Sequence, residues 1–320
     1  MALRSGAIAL SLLSSPLNVH VLKALEDGER SLTDLSQAVG LPPASTLRTY
    51  LRKLTEVEAL ERKRDNGFPG SATYAITPVG VKLLAVGDVL QRWLGKAPQG
   101  PILLGSPAAK SAIKALVDGW SATIVRALAA RPLALTELDR LIPQVSYPTL
   151  ERRLTAMRLV GLLQVDPDGS GRTSYRVTRW LREAVGTLAA AVAWERRHAP
   201  AHTPQLGRLD IEAGFLLAIP LAELPPEVTG VCRLSIEVQK GADPVHAGAT
   251  VAVEDGKPVS AVARLDRSAD AWAAATALEW FQWFNGHEDG RIEFGGHGPL
   301  AQGLAKGLRD ALVPLGLETR

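Results

Sequence analysis

Two passages of this chain say the same thing. Residues 74–93 read YAITPVGVKLLAVGDVLQRW and residues 175–194 read YRVTRWLREAVGTLAAAVAW, so that Tyr74, Thr77 and Trp93 fall on Tyr175, Thr178 and Trp194 at an offset of 101. Upstream, LKALEDGERSLTDL (22–35) matches VRALAARPLALTEL (125–138) at an offset of 103, and Leu47, Leu51, Leu54 and Val57 fall on Leu150, Leu154, Met157 and Val160. The offset changes near 61–73, a glycine-bearing stretch where a loop tolerates a change of length. A match this long, with its slip in a loop, marks a duplicated domain. Two small cores then account for residues 1–200.

Each copy parses alike. A helix is expected over 16–26 or 119–130, then a short helix over 33–39 or 136–142. A turn with Pro42-Pro43 or Pro143 leads to a third helix, 44–57 or 147–160. Two short strands with a glycine-bearing tip follow, ALERKRDNGFPGSATYAIT and LLQVDPDGSGRTSYRVT, and a helix over 78–93 or 179–196 closes the copy. Three helices and a β-hairpin make a winged helix-turn-helix, whose third helix suits the major groove and whose wing suits the neighbouring backbone or minor groove.

The faces of the third helix fit that reading. Leu47, Leu51 and Leu54 form one apolar stripe at 100° per residue, and Ser45, Arg48, Thr49 and Arg52 lie opposite, flanked by Thr46 and Lys53. Such side chains bond phosphates, and arginines reach guanine acceptors. The wing adds Arg62, Lys63 and Arg64. In the second copy the outward arc is Pro148, Glu151, Arg152 and Thr155, flanked by Thr149 and Arg153, and its wing carries Asp166 and Asp168 before Arg172. The DNA contacts expected there are Thr149, Arg152, Arg153 and Arg172. The carboxylates oppose phosphate approach, so the first copy is expected to dominate nonspecific affinity. An ordinary solvated helix face is the competing explanation of the charges.

Charge divides the chain. Residues 1–200 hold 26 Lys+Arg against 17 Asp+Glu, and residues 201–320 hold 10 against 16. A basic front suits a polyanion and the acidic back does something else. Cys232 is the chain's one cysteine, which excludes an internal disulfide framework and fits a reducing cytoplasm. The opening MALRSGAIALSLLSSP has the look of a weak signal peptide, but Ile8, Leu12 and Leu13 share a helical spacing that runs on into Val19, Leu22 and Leu25, so a packed helix is expected. No apolar run approaches the ~18 residues of a membrane span.

These residues resemble the HxlR family of winged-helix bacterial transcriptional regulators. The family's tail, Tyr-x-x-Thr then Gly then an apolar helix ending in Trp, appears as Tyr74, Thr77, Gly80, Leu83, Leu84 and Trp93. Its opening appears as Trp120, Ile124 and Leu128, and its Leu-x-x-Arg-Leu helix as TLERRLTAM. The resemblance covers about 5–198. Such proteins usually carry one domain and form homodimers, so this chain resembles a covalent pseudo-dimer that suits an asymmetric site, with pairing to a second copy left open. Some relatives sense redox change through a cysteine near the N-terminus. No cysteine precedes Cys232 here, which removes the basis for that mechanism.

Between the copies, GKAPQGPILLGSPAAKSA reads as a connector with packed Ile102, Leu103 and Leu104, followed by a helix over 106–118. After the second copy, His198 and His202 have metal-ligand spacing, but Pro200 between them argues against it. Strands are then expected in GFLLAIPL, GVCRLSIEVQ and GATVAVEDGKPVSAVAR, with a tight hairpin at Glu254-Asp255-Gly256-Lys257. SADAWAAATALEWFQWFNG is expected as a helix carrying Trp272, Trp280, Trp283, Phe281 and Phe284, GRIEFGG as a strand, and PLAQGLAKGLRDALVPL as the last helix. This order resembles a sterol-carrier-protein-like domain over about 210–317, with His297 where an acidic residue is usual. The resemblance implies an apolar ligand, for which Trp272, Trp280, Trp283 and Phe284 are the candidate lining. Plain core packing is the alternative for these rings.

Enzyme motifs are thin. Gly296-His297-Gly298-Pro299-Leu300-Ala301 matches G-x-G-x-x-A, but no second strand follows the helix to complete a dinucleotide site. There is no G-x-S-x-G, Walker loop or H-E-x-x-H in the chain. The expected fold is α+β: winged helices at 1–97 and 119–200, a linker at 98–118, and an α+β ligand-binding domain at 201–320. The expected function is a cytoplasmic, ligand-responsive repressor without cofactor, catalysis or membrane contact, whose partners are double-stranded DNA and a small apolar effector. An architectural DNA-binding or protein-interaction scaffold is the alternative, and an enzyme whose winged helices only dimerise is the third class.

Overall fold

The computed structural model describes residues 6–64, 72–119, 122–167, 173–199, 206–240, 243–285 and 291–312. They fall into two compact units, one of Met1–Val117 with Ala190–Pro204 and the other of Asp118–Ala189 with Gln205–Arg320. Among the described residues no single helix is long and apolar enough to cross a membrane.

The first unit opens with α1 (Ala7–Leu13) and α2 (Pro16–Ala24), bent by 79° at the Ser14-Ser15 break. Pro16 explains the break, since it ends one helix and suits the first turn of the next. Leu13, Val19, Leu22 and Leu25 are buried as the spacing required, whereas Ile8 and Leu12 are half-buried and Leu10 takes the deeper place in α1. Strand β1 (Arg30–Ser31) follows, then α3 (Leu32–Ala38), where Ser31 and Asp34 cap each other's backbone amides. Next come α4 (Ala44–Glu56), β2 (Leu60–Arg64), β3 (Ala72–Ile76) and α5 (Pro78–Leu94). The sheet order is β1-β3-β2, so the wing gains a short strand that the sequence reading lacked. Thr77 starts α5: its hydroxyl accepts from the Gly80 amide at 3.1 Å and donates to the Glu58 carbonyl at 2.5 Å. The connector is strapped to α5 by Gln91, which bonds the Ile102 carbonyl and the Leu104 amide. Leu103, expected to pack, is 72% exposed instead, because that strap turns Ile102 and Leu104 inward and leaves Leu103 outside. Helix α6 (Pro107–Gly119) ends the run.

In the second unit α7 (Ala122–Ala130), β4 (Leu133–Ala134), α8 (Leu135–Leu141), α9 (Tyr147–Leu159), β5 (Leu163–Pro167), β6 (Thr173–Val177) and α10 (Arg179–His198) repeat the order. Its sheet is β4-β6-β5, and Thr178 repeats the role of Thr77, accepting from the Leu181 amide at 3.2 Å and donating to the Gly161 carbonyl at 2.9 Å. The last turns of α10 belong to the first unit. There the buried Glu195 accepts from the Gly6 and Ala9 amides at 2.7 and 2.9 Å, capping α1, and Trp194 donates to the Val79 carbonyl at 3.1 Å.

The rest is a mixed helix and strand module. Its first element corrects the sequence reading: the run GFLLAIPL is not a strand but lies in α11 (Arg208–Ala218) and a 3₁₀ turn (Ile219–Leu221). Ile211, Ala213, Phe215, Leu216, Leu217 and Ala218 are all buried, and a helix buried all round carries no amphipathic period to read. The sheet runs β11-β10-β7-β8-β9, formed by β7 (Gly230–Lys240), β8 (Asp243–Glu254), β9 (Lys257–Val262), β10 (Ala271–Thr276) and β11 (Glu293–Gly296). Only the β7–β10 pair in that sheet is parallel. The β8–β9 hairpin turns through Asp255 and Gly256, both at positive φ, as a tight two-residue turn needs.

A second correction concerns Trp272. Ala271–Thr276 is a strand, and helix α12 begins only at Ala277 and runs to Phe284, capped by the Thr276–Glu279 pair. Alanine-rich sequence favours helix, but here Ala271, Ala273 and Ala275 lie beside Cys232, Leu234 and Ile236 of β7, buried under the helices. Trp272 alternates to the other face, where its indole lies over Gly295 on β11; a Cβ at Gly295 would come within 2.3 Å of the ring. Helix α13 (Gly298–Leu312) closes the layer.

Candidate nucleic-acid interface

The framework of the first third helix follows the sequence stripe: Leu47, Leu51 and Leu54 are at most 1% exposed. That burial turns Ser45, Thr46, Arg48, Thr49, Arg52 and Lys53 to the surface. Pro43, the residue before α4, offers no side-chain cap, and the first turn holds no acid, so nothing in that turn competes for an anion at the amide end of the helix. The Thr49 hydroxyl donates to the Ser45 carbonyl at 2.9 Å. Arg52 lies 3.5 Å from Glu56, and Lys53 sits over the Tyr50 ring at 5.5 Å. Arg48 has no ion-pair partner among the described residues.

In the wing, Arg62 is exposed opposite Tyr74, and Arg64 ends β2 opposite Ala72. Lys63 is committed within the fold. It bonds Glu29 and lies 3.2 Å from Glu61, and the hydrogen bond to Glu29 raises the ammonium above its ordinary value. No local pattern signals this pairing, because it is β1, a strand not foreseen, that brings the loop carrying Glu29 beside the wing.

The second copy keeps the stripe, with Leu150, Leu154 and Met157 fully buried. Arg152 and Glu151 are exposed, while Thr149 and Arg153 are half-buried, and Thr149 accepts from the Ser146 hydroxyl at 2.9 Å. Asp166 pairs with Arg176 at 2.8 Å across the β5–β6 hairpin, so its charge is balanced within the fold. Tyr147, which sequence reasoning passed over, stands 43% exposed at the start of α9. Trp120, Asp168, Arg172 and His202 lie outside the described residues.

The aromatic set divides. Trp280 is fully buried, donates to the Ser235 carbonyl at 2.8 Å, meets Phe215 edge-on at 4.9 Å and stacks by Phe284 at 5.7 Å. Trp283 is half-buried, donates to the Ala305 carbonyl at 3.3 Å and lies under the Arg309 guanidinium at 4.9 Å. Trp272 is not brought to these rings. Cys232 is buried, and that burial pushes its thiol up to about 12. The Gly296–Ala301 run follows an antiparallel edge strand, unlike the parallel β-α-β unit of a dinucleotide site.

No curated protein matches the sequence. The profile of the HxlR-like helix-turn-helix family matches it twice, over residues 12–99 and 115–203, which is more than half of the chain and coincides with the two winged-helix copies. The chain belongs to the HxlR-like helix-turn-helix family, with two family domains in tandem.

Proposed function

We propose that the chain is a DNA-binding transcriptional regulator that reads the duplex with its winged helices. The carrying observation is the exposed arc of α4, where Ser45, Arg48, Thr49 and Arg52 face outward from a fully buried leucine stripe. Phosphate contacts from Arg52, Lys53, Arg62 and Arg64 position the helix and Arg48 reads a base edge. Lys63, tied to Glu29, contributes less. The second copy adds Arg152, with Thr149, Arg153 and Arg172 at its margins.

The functional parts on this reading are 1–97, 98–118, 119–200 and 201–320, acting in the cytoplasm. The last is a sterol-carrier-like module that takes a small apolar effector and shifts the chain between DNA-competent and DNA-incompetent populations. Trp283 is half-buried, unlike Trp280 and Phe284, and offers such an effector a ring to contact.

Fluorescence anisotropy tests the reading. DNA from upstream of the chain's own gene and a scrambled duplex are compared at two salt concentrations. Tight binding to the first alone, falling by about 0.9 log unit per phosphate contact per tenfold salt, is expected. Equal weak binding to both sinks it. Apolar compounds that raise the melting temperature without changing DNA affinity sink the effector part alone.

A further inference from the structure

The outward arcs of α4 and α9 superpose by sequence at the offset of 103, so their chemistry compares place by place. Ala44, Ser45, Arg48, Thr49 and Arg52 in the first copy stand where Tyr147, Pro148, Glu151, Arg152 and Thr155 stand in the second. Each helix holds three cations and one carboxylate. They differ in where the carboxylate sits. Glu56 ends α4 and is bridged to Arg52. Glu151 occupies the centre of the α9 arc, exposed and without an ion-pair partner among the described residues. It takes the place of Arg48, which, unlike Arg52 on the same helix, has no ion-pair partner among the described residues.

The two side chains demand opposite bases. A guanidinium donates to the O6 and N7 acceptors of guanine, whereas a carboxylate accepts from the cytosine amino group and is repelled by guanine's acceptors. Adenine suits a carboxylate less well, because its N7 acceptor lies beside its amino group. The exposed ring of Tyr147, one helical turn before Glu151, offers apolar contact of the kind a thymine methyl takes. Arg152, next to Glu151, supplies the positive charge that a phosphate requires.

We propose that the two recognition helices read unlike half-sites of one non-palindromic operator, Arg48 specifying guanine in the first and Glu151 specifying cytosine, with Tyr147 against thymine, in the second. This rests on the DNA-binding reading above. The charge reversal lies on a scaffold that is otherwise held constant, from Leu150, Leu154 and Met157 to Thr178. Loss of DNA contact in the second copy would have required no unpaired carboxylate at the centre of the arc.

Selection of the full chain on a pool of randomised duplexes tests this, with Glu151→Arg and Glu151→Gln selected in parallel. The expected motif has two blocks that are not inverted repeats. Glu151→Arg should turn one cytosine of one block to guanine, with discrimination of roughly tenfold or more at that base, and should leave the other block unchanged. Glu151→Gln should flatten the same position. An inverted-repeat motif overturns the proposal. So does a two-block motif indifferent to both variants, or a single block that neither variant alters. In those three outcomes the chain still binds DNA and the reading of its function stands. Absence of any enriched motif sinks that reading itself, and this proposal with it.

Discussion

The first helix of each winged domain shows how far a duplicated scaffold can diverge. In the first copy, Lys23 of α2 and Glu26, just past its end, are exposed. The equivalent places in α7 hold Arg126 and Ala129. Ala129 is buried, and Arg126 lies 2.6 Å from the buried Glu212 of α11 and reaches the Ala263 carbonyl at 3.5 Å. A surface in one copy has become, in the other, the seam by which α7 packs on the C-terminal module. Inside, nothing comparable has changed: the apolar stripe, with Met157 in the place of Leu54, and the threonine that starts the closing helix persist in both. Selection on packing holds the inner face, and partners decide the outer one.

The comparison can be broken most forcefully at the core. Leu51→Ala and Leu154→Ala should each cost about 2–5 kcal/mol in chemical denaturation, since both side chains are fully buried. A neutral result at either would show that the copies are not equally well packed. Next comes the seam. Glu212→Ala should cost about 2–3 kcal/mol by the same measurement, less than for a wholly buried pair because Arg126 keeps a third of its surface in water. Lys23→Ala, at the matching place of the first copy, should stay within about 0.5 kcal/mol. Equal effects would erase the distinction between surface and seam.

Glu195→Ala should cost roughly 2 kcal/mol by leaving two buried amides without an acceptor. Burial holds this carboxyl above its ordinary 4.5, against the pull of the amides that it accepts from. The native chain therefore binds more protons than the unfolded chain above that value. The contribution of Glu195 to stability then declines as pH rises through the window above 4.5, so the gap between wild type and variant should be wider at about pH 5 than at about pH 7. A gap that widens with rising pH would contradict the burial argument.

The smaller effects concern DNA, measured by anisotropy. Arg48→Ala should weaken binding on the order of tenfold, and a Glu151→Ala variant should lose base discrimination more than affinity. Lys63→Ala should change affinity by less than roughly threefold, because its charge is already shared with Glu29 and Glu61. A large loss at Lys63 would mean that DNA displaces the two carboxylates.

Much of this was legible in the sequence, and the failures have physical causes. The repeat announced both winged domains, and alternation at 100° per residue identified Leu47, Leu51 and Leu54 as buried. Strands β1 and β4 escaped because two residues carry no period. Helix α11 was mistaken for a strand because burial on every side removes the polar face that tells a helix from a strand. Ala273, Ala274 and Ala275 misled in the opposite direction, since local propensity cannot see that neighbouring strands and helices leave room only for small side chains. At the DNA face, exposure was readable, but the pairing of Lys63 with Glu29 depended on tertiary structure that no local pattern encodes.

Cys232 gives the chain a clock of its own. It is the one thiol in the sequence, it sits in β7 with no exposed surface, and burial keeps its sulfur protonated far above neutral pH. A thiol reagent can therefore label the native protein only when the sheet opens. When reclosing is fast, the labelling rate reports the free energy of that opening without any denaturant. A compound seated in the C-terminal module would slow the label in proportion to its occupancy, whereas DNA gripped by the first winged helix alone would leave the rate untouched.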